Sequence, residues 1–142
     1  RKLVVITGGE PFRQPIEKLC QKLVALDFLV QIETNGTIFR ELPHQVKIIC
    51  SPKISNHQYH FLRPDILSRI DALKFIISAS NQDYFEVAEV GQSSREGIAI
   101  YVQPMDEYDE KKNQNNLQKC LDLCLQNGYF LSLQIHKIVG LK

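Results

Sequence analysis

Six apolar runs of strand length recur along the chain, and they lack the in/out alternation of a sheet with one wet face. They are Leu3–Thr7, Leu29–Glu33, Val46–Cys50, Ala72–Ile77, Ile98–Val102 and Phe130–Gln134. Runs rich in Val and Ile with no period of two read as strands covered on both faces, the usual state of a parallel sheet. Helical patterns lie between several of them. "PIEKLCQKLVALD" puts Ile16, Leu19, Cys20, Leu23, Val24 and Leu26 on one stripe, with Pro15 near the first turn. "LQKCLDLCLQNG" repeats the pattern and stops at Asn127-Gly128, a helix C-terminal signal. "NQDYFEVAEV" is a shorter helix candidate, capped by Asn81 or Ser80. Strand–helix–strand alternation predicts an α/β fold, with a parallel sheet or a partial barrel. Ser55–Ile70 breaks the rhythm and reads as a long loop carrying a short helix after Pro64. With 142 residues, 44% of them apolar, a single domain over residues 1–142 is expected.

Composition narrows the partners. The formal charge is +1, so duplex nucleic acid, which needs a basic face, is not an expected partner; a small anionic ligand stays open. No apolar run approaches the ~18 residues of a membrane span, so no membrane partner is expected. Cys20 and Cys120 lie in helix-like stretches and Cys50 ends a strand, which is no secreted disulfide framework; a reducing cytoplasm is expected. Cys120 and Cys124 share one apolar helix face and read as core thiols.

In parallel α/β folds ligands bind at the carboxyl ends of the strands. The residues there are Thr7-Gly8-Gly9-Glu10-Pro11, Glu33-Thr34-Asn35-Gly36-Thr37, Ser51-Pro52-Lys53, Ser78, Gln103-Pro104-Met105-Asp106 and Gln134-Ile135-His136-Lys137. Each has a plain structural reading. Gly8-Gly9 suits any tight turn, Asn35-Gly36 is a common turn dipeptide, and Pro52 and Pro104 end strands. Lys53 reads equally as a solvated lysine and His136 as a surface histidine. Taken as a set, they match an adenosyl amino acid. Backbone groups at Gly8 and Gly9 allow close approach, Glu10 accepts from an ammonium, Glu33 accepts from ribose hydroxyls, and Ser51 and Lys53 hold a carboxylate. A phosphate ligand fits worse, because Glu10 and Glu33 repel it.

"TGGEP" after a strand resembles the motif with which radical S-adenosylmethionine (SAM) enzymes hold the methionyl amino group, and "ETNGT" resembles their second-strand motif. The ordered set "ETNGT", "SPK", "QPM" and "LQIHK" resembles the 7-carboxy-7-deazaguanine synthase family, from Thr7 to Lys137. That resemblance implies a partial parallel (β/α) barrel of the radical SAM type with its N-terminal strands missing. It implies a radical ring contraction of 6-carboxy-5,6,7,8-tetrahydropterin to 7-carboxy-7-deazaguanine, with loss of ammonia, in the queuosine and 7-deazapurine pathway. The implied cofactors are SAM, a [4Fe-4S] cluster and Mg²⁺; the implied partners are an electron donor such as flavodoxin or ferredoxin and a second copy in a homodimer. By motif, Gly8, Gly9 and Glu10 meet the SAM amino group and Glu33 the ribose. Ser51 and Lys53 meet the SAM carboxylate, Gln103 lies near the adenosyl group, and Thr7 and His136 face the pterin.

One departure stands out. The family's C-x3-C-x2-C cluster loop is absent from the sequence, and Cys120-x3-Cys124 lacks a third cysteine. Thiolates are what hold such a cluster, and the family's magnesium residue follows that loop. The expectation is a chain that begins at an interior strand of a longer enzyme, names no catalytic or metal residue of its own, and does not turn over alone. Two alternatives stay open: another radical SAM enzyme, such as a glycyl-radical-activating protein, and a non-catalytic SAM- or nucleotide-binding module.

Overall fold

Parallel pairing is what the apolar runs achieve. In a computed structural model that describes residues 1–140, the elements run β1 (Leu3–Ile6), α1 (Glu17–Ala25), β2 (Leu29–Thr34), β3 (Lys47–Cys50), β4 (Ile54–Ser55), β5 (Gln58–Tyr59) and α2 (Pro64–Arg69). They continue with β6 (Ala72–Ile77), β7 (Ala99–Pro104), α3 (Glu110–Asn127), β8 (Phe130–Leu131) and α4 (Ile135–Ile138). Six strands hydrogen-bond in the order β1-β2-β3-β6-β7-β8. The pairs β1·β2, β2·β3, β3·β6 and β7·β8 are parallel. Contacts group the described residues into two units. One is Arg1–Leu73 with Ala88–Ile98; the other is Lys74–Val87 with the chain from Ala99 onward.

In the first unit the register stacks Ile6 on Ile32 and Ile32 on Ile48, with Thr34 beside Cys50. Ile32, Ile48 and Cys50 are fully buried. The other face carries Leu3, Val5 and Leu29, which are exposed, and the half-exposed Glu33. Burial therefore alternates along β1 to β3, where two-sided burial was expected. The apolar runs hid this because Leu and Val are common on both faces. α1 packs on β2, and Cys20 is its buried contact residue. Asp71 fastens the start of β3: its carboxylate accepts from the Ile48 N–H at 2.8 Å and from Lys47 Nζ at 2.7 Å. The Arg95 guanidinium takes up the orphan carbonyls of Leu67 and Ile70 at the end of α2, at 2.6 and 2.5 Å.

Two local expectations change. The loop at Ser55–Ile70 does carry a short helix, α2, but it is preceded by an antiparallel hairpin of β4 and β5. Asn56 and His57 turn it at φ +53° and +61°, a conformation Asn tolerates. The helix expected over "NQDYFEVAEV" is a single 3-10 turn, Gln82–Tyr84, capped by Asn81. Beyond it, side chains take the backbone groups a helix would use. Gln92 Oε1 accepts from the Val90 N–H at 2.7 Å, and Glu89 accepts from the Gly91 N–H at 2.7 Å.

In the second unit, α3 packs on β7 and β8. It starts at Glu110, seven residues before the apolar stripe of "LQKCLDLCLQNG", because its first two turns are polar. Asp109 caps it, accepting from the Lys112 N–H at 2.9 Å, and Gly128 ends it at φ +70°. Phe75, Ile77, Val102 and Cys120 form the buried centre of this unit. β8 is shorter than its apolar run: Ser132 still donates its N–H to the Val102 carbonyl at 2.9 Å, and then the chain turns into α4 at Gln134. His136 thus lies on a short helix, not in a strand-end loop.

Candidate functional site

The loops after β1, β2 and β3 are built around one carboxylate. Gly8 and Gly9 hold φ of +95° and +57°, so the chain reverses there in a conformation that side chains resist. It delivers Glu10, which is 8% exposed, beneath the turn. Glu10 Oε1 accepts from the Phe12 N–H at 3.1 Å and from Thr34 Oγ1 at 2.8 Å; Oε2 accepts from the Asn35 N–H at 2.7 Å. A carboxylate offers about four lone-pair sites. Three are taken by the protein, which makes Glu10 first of all a fastener between "TGGEP" and "ETNGT".

Thr34 continues the linkage. Its Oγ1 accepts from the Gly36 N–H at 3.2 Å, and its carbonyl accepts from the Ser51 N–H at 2.7 Å, tying in the loop after β3. Asn35 Oδ1 turns the chain by accepting from the Thr37 N–H and Oγ1 at 2.9 and 2.6 Å. Gly36, at φ +79°, is also sterically required: a Cβ would lie 2.7 Å from Cys50 Sγ and from Leu62 Cδ2. Ser51 is buried at 8% exposure, and its Oγ accepts from Lys53 Nζ at 3.4 Å. Thr7, Gly8 and Gly9 are exposed and Glu33 half-buried. Seven of the sequence-derived site residues therefore lie in the first unit at the carboxyl ends of its strands. Gln103 and His136 belong to the second unit.

In the second unit, Gln103 is half-buried at the end of β7 and His136 is exposed on α4. The second unit also holds a polar cluster in which sequence reasoning named Ser78 and Asp106 but not Glu107 and Asn116. Glu107 accepts from Ser78 Oγ at 2.8 Å, Asn116 Nδ2 at 3.0 Å, Ser80 Oγ at 3.2 Å and Lys112 Nζ at 3.3 Å. Led by the Asn116 bond, these donors hold its carboxyl down to about 2. Asp106 accepts from Lys137 Nζ at 2.6 Å and from the Tyr108 N–H and Asn113 Nδ2, both at 3.0 Å. The Lys137 bond is the main reason its carboxyl is also held to about 2. The sequence did hold a signal for the cluster. Asn116 is a polar residue on the apolar stripe of α3, in register with Cys120 and Leu123, and is 1% exposed. A cleft of about 730 Å³ lies beside the cluster, lined by Met105, Asp106, Tyr108, Leu117, Leu133 and Lys137 among others.

The cysteines do not fit an iron–sulfur cluster. Cys20, Cys50 and Cys120 are buried, on α1, β3 and α3. Desolvation pushes the thiols of Cys50 and Cys120 up to about 12, away from the thiolate such a cluster needs. Among the described residues, no group of three His, Cys, Asp or Glu could hold a metal ion. No described helix is long and apolar enough to cross a membrane.

The chain is 51% identical over 140 residues to 7-carboxy-7-deazaguanine synthase of Rickettsia prowazekii, covering 99% of this chain and 59% of that protein. This chain is a homologue of the 7-carboxy-7-deazaguanine synthases. The synthase of Rhodospirillum rubrum is 36% identical over 155 residues, covering 96% of this chain and 64% of the relative. The crystal structure of QueE from Escherichia coli superposes with a TM-score of 0.74 at 25% identity, over 94% of this chain and 57% of that one. The fold is thus a partial α/β fold of the radical SAM type, as in QueE. No family model matches the chain. The chain spans about three fifths of the length of the 7-carboxy-7-deazaguanine synthases it matches.

Proposed function

We propose that this chain supplies the SAM- and pterin-facing part of a 7-carboxy-7-deazaguanine synthase. That enzyme contracts 6-carboxy-5,6,7,8-tetrahydropterin to 7-carboxy-7-deazaguanine for queuosine and 7-deazapurine synthesis. Similarity to the Rickettsia prowazekii and Rhodospirillum rubrum synthases supports the reaction and the substrate. The observation that carries the site is the joining of three strand-end loops through Glu10 and Thr34.

The donor set fits SAM. The Gly8-Gly9 turn and the remaining lone pair of Glu10 suit its ammonium. The Ser51 hydroxyl and the Lys53 ammonium suit its carboxylate as charge-assisted donors. In the first unit Glu33 serves the ribose and Thr7 the pterin; for the second unit, the family resemblance alone makes Gln103 the candidate for the adenosyl group and His136 for the pterin. SAM supplies the radical chemistry when bound with a reduced [4Fe-4S] cluster; this chain's residues orient it and exclude water. Mg²⁺, a flavodoxin- or ferredoxin-type reductant, a homodimer and a cytoplasmic setting belong to the same reading.

Product analysis of the whole protein, with cluster and reductant supplied, tests the reading. Conversion of the carboxytetrahydropterin to 7-carboxy-7-deazaguanine is expected. A different product, or a protein that binds SAM and never consumes the pterin, overturns it.

A further inference from the structure

The Glu10 carboxylate shares its three donors unequally. Oε1 takes two of them, the Phe12 N–H at 3.1 Å and Thr34 Oγ1 at 2.8 Å, and both contacts are buried. Oε2 takes one, the Asn35 N–H at 2.7 Å, and that contact is half-buried. Each carboxylate oxygen offers about two acceptor sites. Oε1 is therefore filled, and the free lone pair belongs to Oε2. Both donors to Oε1 are themselves held. Phe12 is fully buried, and its carbonyl accepts from Arg40 Nε at 2.6 Å. Thr34 is 2% exposed, and its Oγ1 accepts from the Gly36 N–H at 3.2 Å. A hydroxyl has one proton; with the Gly36 N–H aimed at the oxygen, that proton goes to Glu10. All of these residues lie in the first unit.

Valine has nearly the shape of threonine, so the place beside Cys50 in the sheet does not by itself require a hydroxyl. What the hydroxyl adds is direction. It occupies Oε1 and leaves the other oxygen as the one acceptor open to a ligand. We propose that Thr34 is a positioning residue that aims Glu10 Oε2 at the SAM ammonium. Without the hydroxyl, only two backbone N–H groups hold the carboxylate, and a second open site on Oε1 competes for water. The inference rests on the SAM reading above and deepens it by assigning the acceptor atom and the residue that fixes it.

The test is SAM affinity of the whole protein by calorimetry, for the wild type, Thr34→Val, Thr34→Ser, Glu10→Gln, and Thr34→Val combined with Glu10→Gln. Thr34→Val is expected to weaken SAM binding about tenfold, the scale of one hydrogen bond to a charged group. Thr34→Ser keeps the hydroxyl and is expected to bind nearly as the wild type does. Added to Glu10→Gln, Thr34→Val is expected to change affinity less than twofold, because Thr34 acts through the carboxylate. A full tenfold loss in that background as well overturns the positioning role, since a merely loosened loop weakens binding with or without the carboxylate. Asp71→Asn, at the amino end of β3, is expected to lower the melting temperature and leave SAM affinity unchanged, which separates positioning from mere stability. If Thr34→Val does not fold, Thr34→Cys takes its place, with a smaller loss expected because a thiol is a weak donor. A folded Thr34→Val protein, or in its place Thr34→Cys, that binds SAM within twofold of the wild type overturns the positioning role and leaves the SAM reading intact. A wild-type protein with no SAM affinity overturns the SAM reading and this inference with it.

Discussion

Gly9 and Gly36 both hold positive φ, +57° and +79°, but they are needed for different reasons. A Cβ on Gly9 would meet nothing within 4 Å, so alanine there costs only backbone strain, about 1–2 kcal/mol. A Cβ on Gly36 would also press on Cys50 and Leu62 at 2.7 Å, which adds about 1–3 kcal/mol of overpacking. Urea unfolding should therefore rank Gly36→Ala as the more damaging change; equal midpoints would contradict the packing described for the β2 loop. Glu10→Ala should cost more than loss of a surface carboxylate, because it leaves the Phe12 and Asn35 N–H groups without their acceptor, at about 1–3 kcal/mol for each one left unsatisfied. Glu10→Gln keeps one acceptor oxygen and should fall between. The strand-end residues Gly8, Gly9, Ser51 and Lys53 were legible because polar residues follow Val- and Ile-rich runs. The inward role of Glu10 was not, since its partners Thr34 and Asn35 lie more than twenty positions away, and only the parallel register of β1 and β2 brings them close.

α3 shows why element boundaries hide in a sequence. Its apolar stripe marks the second half, while Asp109 and the polar turn that follows carry the start on capping alone. Asp109→Ala should cost about 1 kcal/mol, read as a lower melting temperature. The hairpin of β4 and β5 was missed for a related reason: each strand is two residues long, too short for any period to register. Glu107, in the loop just before α3, carries acid sensitivity in the second unit. The Glu107 carboxyl is lowered from 4.5 to about 2, so its charged form stabilises the fold. That contribution is complete above pH 4.5 and is lost as the pH falls toward 2. The difference in melting temperature between wild type and Glu107→Gln should be largest above pH 4.5 and shrink steadily below it. A difference that stays constant down to pH 2 would show that the carboxylate is not held by Asn116 and Ser78 as described.

At the scale of the molecule, the α/β class and the parallel pairing followed from the spacing of apolar runs, and homology along 99% of the chain agrees with the motif order. Two-sided burial did not follow, because Leu3, Val5 and Leu29 leave one face of β1 and β2 open among the described residues. The proposed function makes the loops after β1 and β3 one preorganised SAM cradle. It predicts that Lys53→Met weakens SAM binding about tenfold or more, the loss of one charge-assisted contact, with the melting temperature little changed. The most direct measurement is amide hydrogen exchange of the whole protein with and without SAM. Slowed exchange at Gly8–Glu10 and at Ser51–Lys53, rising together with one saturation curve, is the predicted result. Saturating SAM that leaves both segments exchanging at their free rates would contradict it.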